Sequence, residues 1–452
     1  MSSSYDPVML SRILTSLTLA FHIIYATIGV GVPLMIALAE WIGIKRGDPH
    51  YLLLARRWAR GFVITVAVGV VTGTAIGLQL SLLWPSFMRV AGQSIALPLF
   101  METFAFFFEA IFLGIYLYTW DRFKSRTAHF WLLIPVVIGS SASAFFITIV
   151  NAFMNYPVGF NYVDGKITDV NPLAAMLSPA MPTKVAHVLS SAYLTCALVL
   201  AAIAAWSLLK GRDHVYYKKA LKLTMISALV FLFSTAIIGD LSGKYLAKYQ
   251  PEKLAAMEWH YETTTNAPLV LGGVLDENNE VKYGLHIPNA LSILAHGYPS
   301  AEVIGLNDIP ADEHPPLYIH YLFDIKMGYV AYMTFVVLLF AVFMKLRRTN
   351  PYAKWLLRLI IASAPVAMLT IEHGWIFSEV GRQPWILRGL MRTSEGATTS
   401  DHVDTMLVVF SILYLVLGVT SVRVLTRMFR TNRAEDELIA RGIDGGEGGV
   451  KG

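Results

Sequence analysis

Long apolar segments alternate with short polar connections along almost the whole chain. Each segment holds about twenty or more mainly apolar residues, enough to cross the ~30 Å hydrocarbon core of a bilayer as a helix. The pattern predicts an all-α polytopic membrane protein with about nine transmembrane helices. The expected spans run approximately from Leu17 to Trp41, Trp58 to Leu83, Ile95 to Trp120, His129 to Phe153, Val185 to Leu209, Ala220 to Gly239, Ile319 to Leu346, Trp355 to Phe377 and Val403 to Met428.

Composition supports the membrane interpretation and limits the available chemistry. Of 452 residues, 55% are hydrophobic and 15% are charged, and the mean hydropathy is +0.55. These values exclude an ordinary soluble globule. The single cysteine, Cys196, excludes an intrachain disulfide and a multi-cysteine metal or iron-sulfur centre. The first span is long and no small-residue cleavage site follows it, so we expect a retained helix.

Basic residues are concentrated in alternate connections, which predicts how the chain is oriented. By the positive-inside rule the N-terminus lies outside and the C-terminus lies in the cytoplasm. The clusters lack groove-reading context, so we expect no nucleic-acid partner. The basic groups lie at Lys45 to Arg60, Arg122 to Arg126, Lys210 to Lys219, Lys345 to Arg358 and Arg427 to Arg433.

We expect a single transmembrane domain over 1–452 with one long insertion. The only long connection, 241–318, joins spans six and seven and is predicted to lie outside, where a loop of this length is usually functional. A helix is expected near Gln250 to Trp259, and Asp276 to Glu280 resembles a turn between short strands. The tail 434–452 is predicted to be disordered.

Four candidate metal ligands lie in predicted spans, and the topology places all of them toward the outer side: His22, His187, Met327 and Glu379. A His and a Met from different helices form a closed, low-spin haem, whereas a lone His or carboxylate leaves iron an open face for a gas. The set would accommodate one closed haem and two open ones. Packing roles for both His residues and for Met327, and an ion pair between Glu379 and Arg382, remain alternatives.

Carboxylates recur at a spacing of seven residues on two spans. Glu102 and Glu109 on span three, and Glu372 and Glu379 on span eight, therefore share a helix face within each pair. Stacked carboxylates facing a bundle interior suit a proton relay, while independently hydrogen-bonded structural acids are the alternative.

In the outer loop, Lys253 and Glu258 could flank one ligand. A Lys and an acid there could hydrogen-bond and deprotonate a quinol head group. Solvated loop charges are the other interpretation.

Five motifs recur along the chain: Asn151 with Asn155 to Gly159, Gly239 to Gly243, Lys253 to Glu258, Glu372 to Trp375, and Gly381 to Trp385. Together and in this order they resemble subunit I of cytochrome bd-type quinol oxidases, and the resemblance extends over nearly the whole length. The long insertion that some members carry after the Lys253 and Glu258 segment is missing, so the resemblance is to the short quinol-loop form.

The resemblance implies a role for each candidate residue. His187 and Met327 match the axial ligands of a low-spin haem b. His22 and Glu379 match the single ligands of a high-spin haem b and a haem d, or haem b in its place, and which residue takes which haem stays open. The resemblance also matches Lys253 and Glu258 to the quinol site, Glu102 and Glu109 to the proton path, and Arg12, Arg382 and Trp385 to the haem surroundings.

The implied protein is a multi-pass subunit of the bacterial cytoplasmic membrane. It would oxidise quinol outside and reduce dioxygen to water with protons drawn from inside, so charge is separated without pumping. Its partners would be subunit II and a small single-helix subunit, within the lipid bilayer. Two rivals remain: a proton-coupled transporter, which should show inverted repeats, and an electron-relay cytochrome with closed haem ligation only.

Overall fold

Long helices account for most of the computed structural model, which describes residues 6–346 and 348–443. Nine segments of this part are long and apolar enough to cross a membrane, as the hydropathy pattern predicts. They are α1 (Pro7–Arg46), α2 (Pro49–Leu83), α3 (Pro85–Tyr118), α4 with α5 (Arg126–Phe130 and Leu133–Asn155), α7 (Met181–Leu209), α8 (Val215–Tyr249), α11 (Ile319–Lys345), α12 (Lys354–Val380) and α14 (Val403–Thr431).

Several helices extend well beyond the predicted spans, so some predicted boundaries are wrong. Helix α1 begins at Pro7, because Asp6 accepts a hydrogen bond from the Val8 N–H and proline suits the first helical position. Asp48 caps α2 in the same way, just after Gly47 ends α1 with a φ of 61°. Polar caps of this kind lie outside the apolar segments from which the spans were predicted.

The remaining elements are short and lie in the connections. The helices are α6 (Pro172–Met176), α9 (Pro251–Met257), α10 (Ala290–His296), α13 (Thr393–Gly396) and α15 (Ala434–Ala440), with 3-10 turns at Leu306–Asp308 and Ala311–Glu313. The antiparallel strand pairs are β1 (Asn161–Val163) with β2 (Lys166–Thr168), β3 (Thr264–Thr265) with β8 (Glu302–Val303), β4 (Leu269–Leu271) with β7 (Leu285–Ile287), β5 (Val274–Leu275) with β6 (Val281–Lys282), and β9 (Trp385–Leu387) with β10 (Met391–Arg392).

Helices α1, α5, α7, α8 and α12 form the centre of the bundle. Helix α7 packs along both α8 and α12, while α1 packs along α2 and α7. At one place α1 and α7 come very close, because Gly31 lies directly against the buried Cys196 side chain. Helix α14 is peripheral and touches mainly α1 and α2. The bundle therefore has a closed centre and apolar outer faces.

The long loop folds against one end of the bundle, which we call the loop end. Helix α8 continues to Tyr249, so the loop starts at residue 250, later than the predicted 241. A Lys244–Asp240 ion pair one turn apart supports this extension. The expected helix is present as α9, and the predicted turn at 276–280 does join the short strands β5 and β6. Buried side chains of α9, α10 and the start of α11 give the loop its own core.

The C-terminal tail is ordered further than predicted. Residues Ala434–Ala440 form α15, and Ala434 and Leu438 are buried against the bundle. Arg57 and Arg60 of α2 both pair with Glu437, which fixes α15 in place. The prediction of disorder from residue 434 is therefore wrong for α15, while its part over 444–452 lies outside the described residues.

Candidate functional site

The four candidate ligands come from four helices and lie at different distances from the helix ends. His187 is six residues into α7, Met327 is eight residues into α11, and Glu379 is one residue from the end of α12. His22 is 15 residues into α1, about 22 Å from the helix start at 1.5 Å per residue. Helix α1 begins ten residues before the predicted span, so His22 lies further from its helix end than expected, and the shared depth of the four ligands stays a prediction.

The hydrogen bonds around His22 leave one ring nitrogen free to bind a metal. His22 Nδ1 lies 2.8 Å from Thr72 Oγ1, and the Thr72 hydroxyl donates its only proton to the Val68 carbonyl at 2.9 Å. This arrangement allows His22 Nδ1–H to donate to Thr72 Oγ1, and in this tautomer the lone pair lies on Nε2. Gly73 gives the ring room, since a Cβ there would lie 3.3 Å from His22 Cε1. This geometry suits an iron ligand.

His187 also offers an unused ring nitrogen. Its Nδ1 atom is buried and has no hydrogen-bond partner within residues 6–346 and 348–443. The ring faces Gly239 of α8, where a Cβ would lie 4.0 Å from His187 Cε1. Met327 is 40% exposed, an unusual state for a residue that only fills a core. Both side chains are free to bind a further group.

Glu379 is held by groups from two other elements. Arg382 forms an ion pair with it, and Asn151 Nδ2 of α5 donates to Oε1 at 2.7 Å. The ion pair considered from the sequence is therefore present. Arg382 also donates to the Trp385 carbonyl at 3.3 Å, which joins three of the predicted residues into one cluster. Arg12, by contrast, is exposed on the first turns of α1.

Several buried or half-buried cations surround this carboxylate. Lys184 Nζ of α7 donates to Asn151 Oδ1 at 2.9 Å and to Ser378 Oγ at 3.2 Å. Lys253 Nζ of α9 donates to the Ser378 carbonyl at 3.3 Å and is 3% exposed. Lys326, next to Met327, lies 4.5 Å over the Phe377 ring. In the described part of the chain none of the three lysines is ion-paired, so the cations outnumber their counter-charges.

Burial and neighbouring cations together change the pKa of Lys253. Burial first, and the neighbouring Lys184 second, hold the pKa of Lys253 well below its usual value. Gly381 is required for the close passage of Lys253, since a Cβ there would lie 2.8 Å from Lys253 Cδ and 2.7 Å from Ile319 Cδ1. A buried cation cluster of this kind calls for anionic groups from a ligand.

The acids of span three lie on one helix face, as predicted, and that face contacts α5. Ser143 Oγ donates to Glu102 Oε1 at 2.9 Å. One turn earlier on α5, Gly139 packs on Glu109, which is only 4% exposed. The phenylalanines at 104, 107 and 108 are exposed on other faces of α3, as lipid-facing residues would be. On α12, Glu372 Oε1 is buried without a partner within the described residues.

The two predicted quinol residues are both buried but have different surroundings. Lys253 points to the end of α12, whereas Glu258 Oε2 accepts a hydrogen bond from the Val270 N–H of β4 at 3.3 Å. Glu258 is 1% exposed, and its Oε1 has no partner in the part of the chain described. Burial raises the pKa of Glu258 to about 8. The interpretation of these residues as solvated loop charges is wrong.

Sequence reasoning missed four polar residues of this region. Lys184 and Lys326 join the cation cluster, while His320 and Asp324 of α11 lie beside the Glu258 segment. A basic residue inside an apolar span was the available signal for Lys326. The others depend on contacts between helices and the loop, which spacing does not reveal.

These residues fit haem better than a bare metal ion. Within residues 6–346 and 348–443 no group of three or more His, Cys, Asp or Glu side chains could hold a metal ion. Single ligands on separate helices, with cations nearby, instead match an iron that brings its own four ring nitrogens and two propionates. The candidate donors are the His22 ring, the His187 ring and the Met327 sulfur, and Glu379 supplies the fourth group.

Comparison with known proteins places the chain in one family. The family described as cytochrome bd terminal oxidase subunit I matches residues 10–433. A Bacillus subtilis (strain 168) protein named putative cytochrome bd menaquinol oxidase subunit I is 41% identical over 438 residues, covering 96% of this chain and 99% of that protein. From the same organism, cytochrome bd ubiquinol oxidase subunit 1 is 31% identical over 447 residues, covering 95% and 94%.

A solved structure agrees with the sequence relatives. The structure of bd oxidase from Geobacillus thermodenitrificans superimposes with a TM-score of 0.92 at 65% sequence identity, covering 96% of this chain and 100% of that chain. The nine candidate spans of the described residues, the structural likeness and the sequence similarity agree, so the chain belongs to the cytochrome bd terminal oxidase subunit I family, the multi-pass, haem-containing quinol oxidases of the bacterial cytoplasmic membrane.

Proposed function

We propose that the chain oxidises quinol at the loop end, on the outer side of the membrane. Glu258 accepts the quinol proton, because its unpaired Oε1 is free and its pKa of about 8 is close to the working pH. Lys253 lies between the loop and the end of α12, where the quinol head group and the nearest haem would meet. Basic residues in alternate connections support the outer location of the loop.

His187 and Met327 are proposed to hold a low-spin haem b, and His22 and Glu379 to hold a high-spin haem b and a haem d, or haem b in its place. When bound, the first group would relay electrons and the open-face pair would reduce dioxygen to water. The chain orients the groups: Thr72 fixes the His22 ring, and Asn151 and Arg382 hold the Glu379 carboxylate. Arg12 and Trp385 are proposed to lie beside these haems.

Protons for oxygen reduction are proposed to come from the cytoplasm through carboxyl groups. Glu109 and Glu102 lie on one face of α3, and Ser143 donates a hydrogen bond to Glu102. Glu372 and Glu379 of α12 are proposed to form the next part of the proton path. Protons are released outside and consumed from inside, so a proton motive force arises without pumping. Subunit II and a small single-helix subunit are the proposed protein partners.

The observation that carries this proposal is the cation cluster of Lys184, Lys253, Lys326 and Arg382 around the single carboxylate of Glu379. Burial disfavours the charged form of the three lysines, as the lowered pKa of Lys253 indicates, unless an anionic group lies beside them. Haem propionates would supply this negative charge close to His187, Met327 and Glu379. A transporter site offers no comparable reason for this cluster beside unpaired His and Met donors.

Replacing Glu258 by Gln tests the quinol site. The carboxylate is the proton acceptor, so the wild-type kcat/KM for quinol should rise as pH increases through about 8. In Glu258→Gln this value should fall about 100-fold, the usual scale for losing a general base, and become independent of pH. Steady-state oxygen uptake with a soluble quinol measures both quantities, and a haem spectrum checks cofactor content.

Glu262→Gln is the matched control, because Glu262 is an exposed loop acid that accepts from Asn307 Nδ2. It should retain the wild-type rate and pH profile. Wholesale haem loss in Glu258→Gln would make Glu258 structural and reject its role as the quinol base.

A further inference from the structure

A second carboxyl group, Asp324 of α11, lies beside the Glu258 segment and has no assigned role. His320, one turn earlier, is completely buried and its Nε2 lies 3.2 Å from Asp324 Oδ2. The same nitrogen lies 3.1 Å from the Gly272 carbonyl, and Nδ1 lies 2.8 Å from the Met257 carbonyl. Trp259 stacks on the imidazole with ring centroids 3.9 Å apart. The ring is therefore held in place with Nε2 facing Asp324.

Strand β4 aligns Asp324 with Glu258. The Val270 N–H donates to Glu258 Oε2 at 3.3 Å, and the Gly272 N–H donates to Asp324 Oδ2 at 2.5 Å. Val270 lies in β4 and Gly272 directly follows this strand, so donors two residues apart bind the two carboxyl groups. The groups are close enough for the charge of Asp324 to act on Glu258.

Each carboxyl group keeps one oxygen that the protein does not use. Glu258 Oε1 and Asp324 Oδ1 are both buried and without a hydrogen-bond partner within residues 6–346 and 348–443. Such atoms are costly unless a ligand or water occupies them. The two groups differ in access to solvent, because Glu258 is 1% exposed whereas the Asp324 side chain is 16% exposed. Glu258 is therefore the buried member of the pair, and Asp324 is the member nearer the surface.

Few titratable side chains lie near Glu258 and Asp324. His320 and Tyr321 on α11 and Glu258 from the segment after α9 are the titratable side chains near Asp324, while β4 contributes backbone N–H groups. Lys326 turns away and lies over the Phe377 ring. Among the residues that the structure describes, His320 is the one basic side chain in contact with the Asp324 carboxyl group.

We propose that Asp324 is the exit carboxyl group of the quinol site, taking the proton that Glu258 accepts from quinol and passing it to the outer water. This inference rests on the proposed function. Oxidation of one quinol breaks two O–H bonds and gives quinone, two protons and two electrons. The electrons leave one at a time to oxidised low-spin haem as acceptor. Each proton moves to the Glu258 carboxylate, then to the Asp324 carboxylate, then to water, so both carboxylates are restored.

Asp324→Asn and Asp324→Ser, in the assembled oxidase, test this step with two electron donors. With quinol, kcat should fall tenfold or more while KM changes less than twofold, because release of the proton and not docking is impaired. Tetramethyl-p-phenylenediamine loses no O–H proton, so oxygen uptake with it should stay at the wild-type rate. The solvent isotope effect on the quinol reaction should rise, and Asp324→Glu should restore most of the rate.

Tyr321→Phe is the matched control: it removes a neighbouring hydrogen bond to the Gly273 carbonyl but no carboxyl group, and should leave both rates unchanged. A quinol kcat within twofold of wild type in either Asp324 variant would overturn the proposal. So would haem loss in both variants, or an equal fall with both donors, since each makes Asp324 structural. Wild-type protein that consumes oxygen with neither donor would instead refute the proposed function itself.

Discussion

Replacing Met327 by Leu is expected to abolish the low-spin haem signal of the reduced protein and to stop quinol-driven oxygen uptake. Leu has nearly the volume of Met, so the fold should be retained with a cost below about 1.5 kcal/mol. The exchange removes the thioether sulfur, so a haem iron held by His187 and Met327 would lose one of its two protein ligands and its low-spin state. Reduced-minus-oxidised spectra and oxygen uptake measure the two effects.

Met333→Leu provides the control on the same helix. Met333 is 3% exposed and packs in the bundle core, so this exchange changes a methionine without touching a proposed ligand. It should keep the full spectrum. An unchanged low-spin signal in Met327→Leu would reject Met327 as an axial ligand and return it to the role of a packing residue.

Replacing His22 by Ala should have a comparably large effect on oxygen reduction. The variant loses the Nε2 donor, so one open-face haem should be missing, carbon monoxide binding should fall and oxygen reduction should stop. The haem proposed for His187 and Met327 would be held elsewhere and should keep its spectrum. Haem quantification together with carbon monoxide difference spectra of the purified oxidase separates these outcomes.

Thr72→Val tests the same site with a milder change. It removes the acceptor that holds the His22 tautomer, 2.8 Å from Nδ1, but leaves the ligand in place. Loss of such an outer-shell partner typically weakens metal binding 10- to 100-fold, so we expect partial occupancy of one haem. Full haem content and carbon monoxide binding in His22→Ala would show that His22 is a packing histidine.

The spans were predictable because a membrane helix can be identified from the length and apolar composition of its segment alone. Their ends were not, because caps such as Asp6 and Asp48 are polar and lie outside the apolar segments. The same reason explains α15: its composition resembles a solvated tail, whereas contacts with the bundle, such as the ion pairs of Glu437 with Arg57 and Arg60 of α2, stabilise it as a helix.

Part of the site was also predictable. Spacing of seven residues placed Glu102 and Glu109 on one face, and the structure brings that face against α5. Lys184, His320 and Asp324 could not be found in this way, since their roles arise from contacts between segments distant in sequence. Asp324, for example, meets a backbone N–H 52 residues away.

The most direct test of the central claim is the haem content of the purified chain with its partners. Pyridine haemochrome analysis and a quinol-reduced minus oxidised spectrum should show three haems per chain, one low-spin and two able to bind a gas, with a red band if a chlorin is present. A colourless preparation, or only low-spin haem without carbon monoxide binding, would contradict the account.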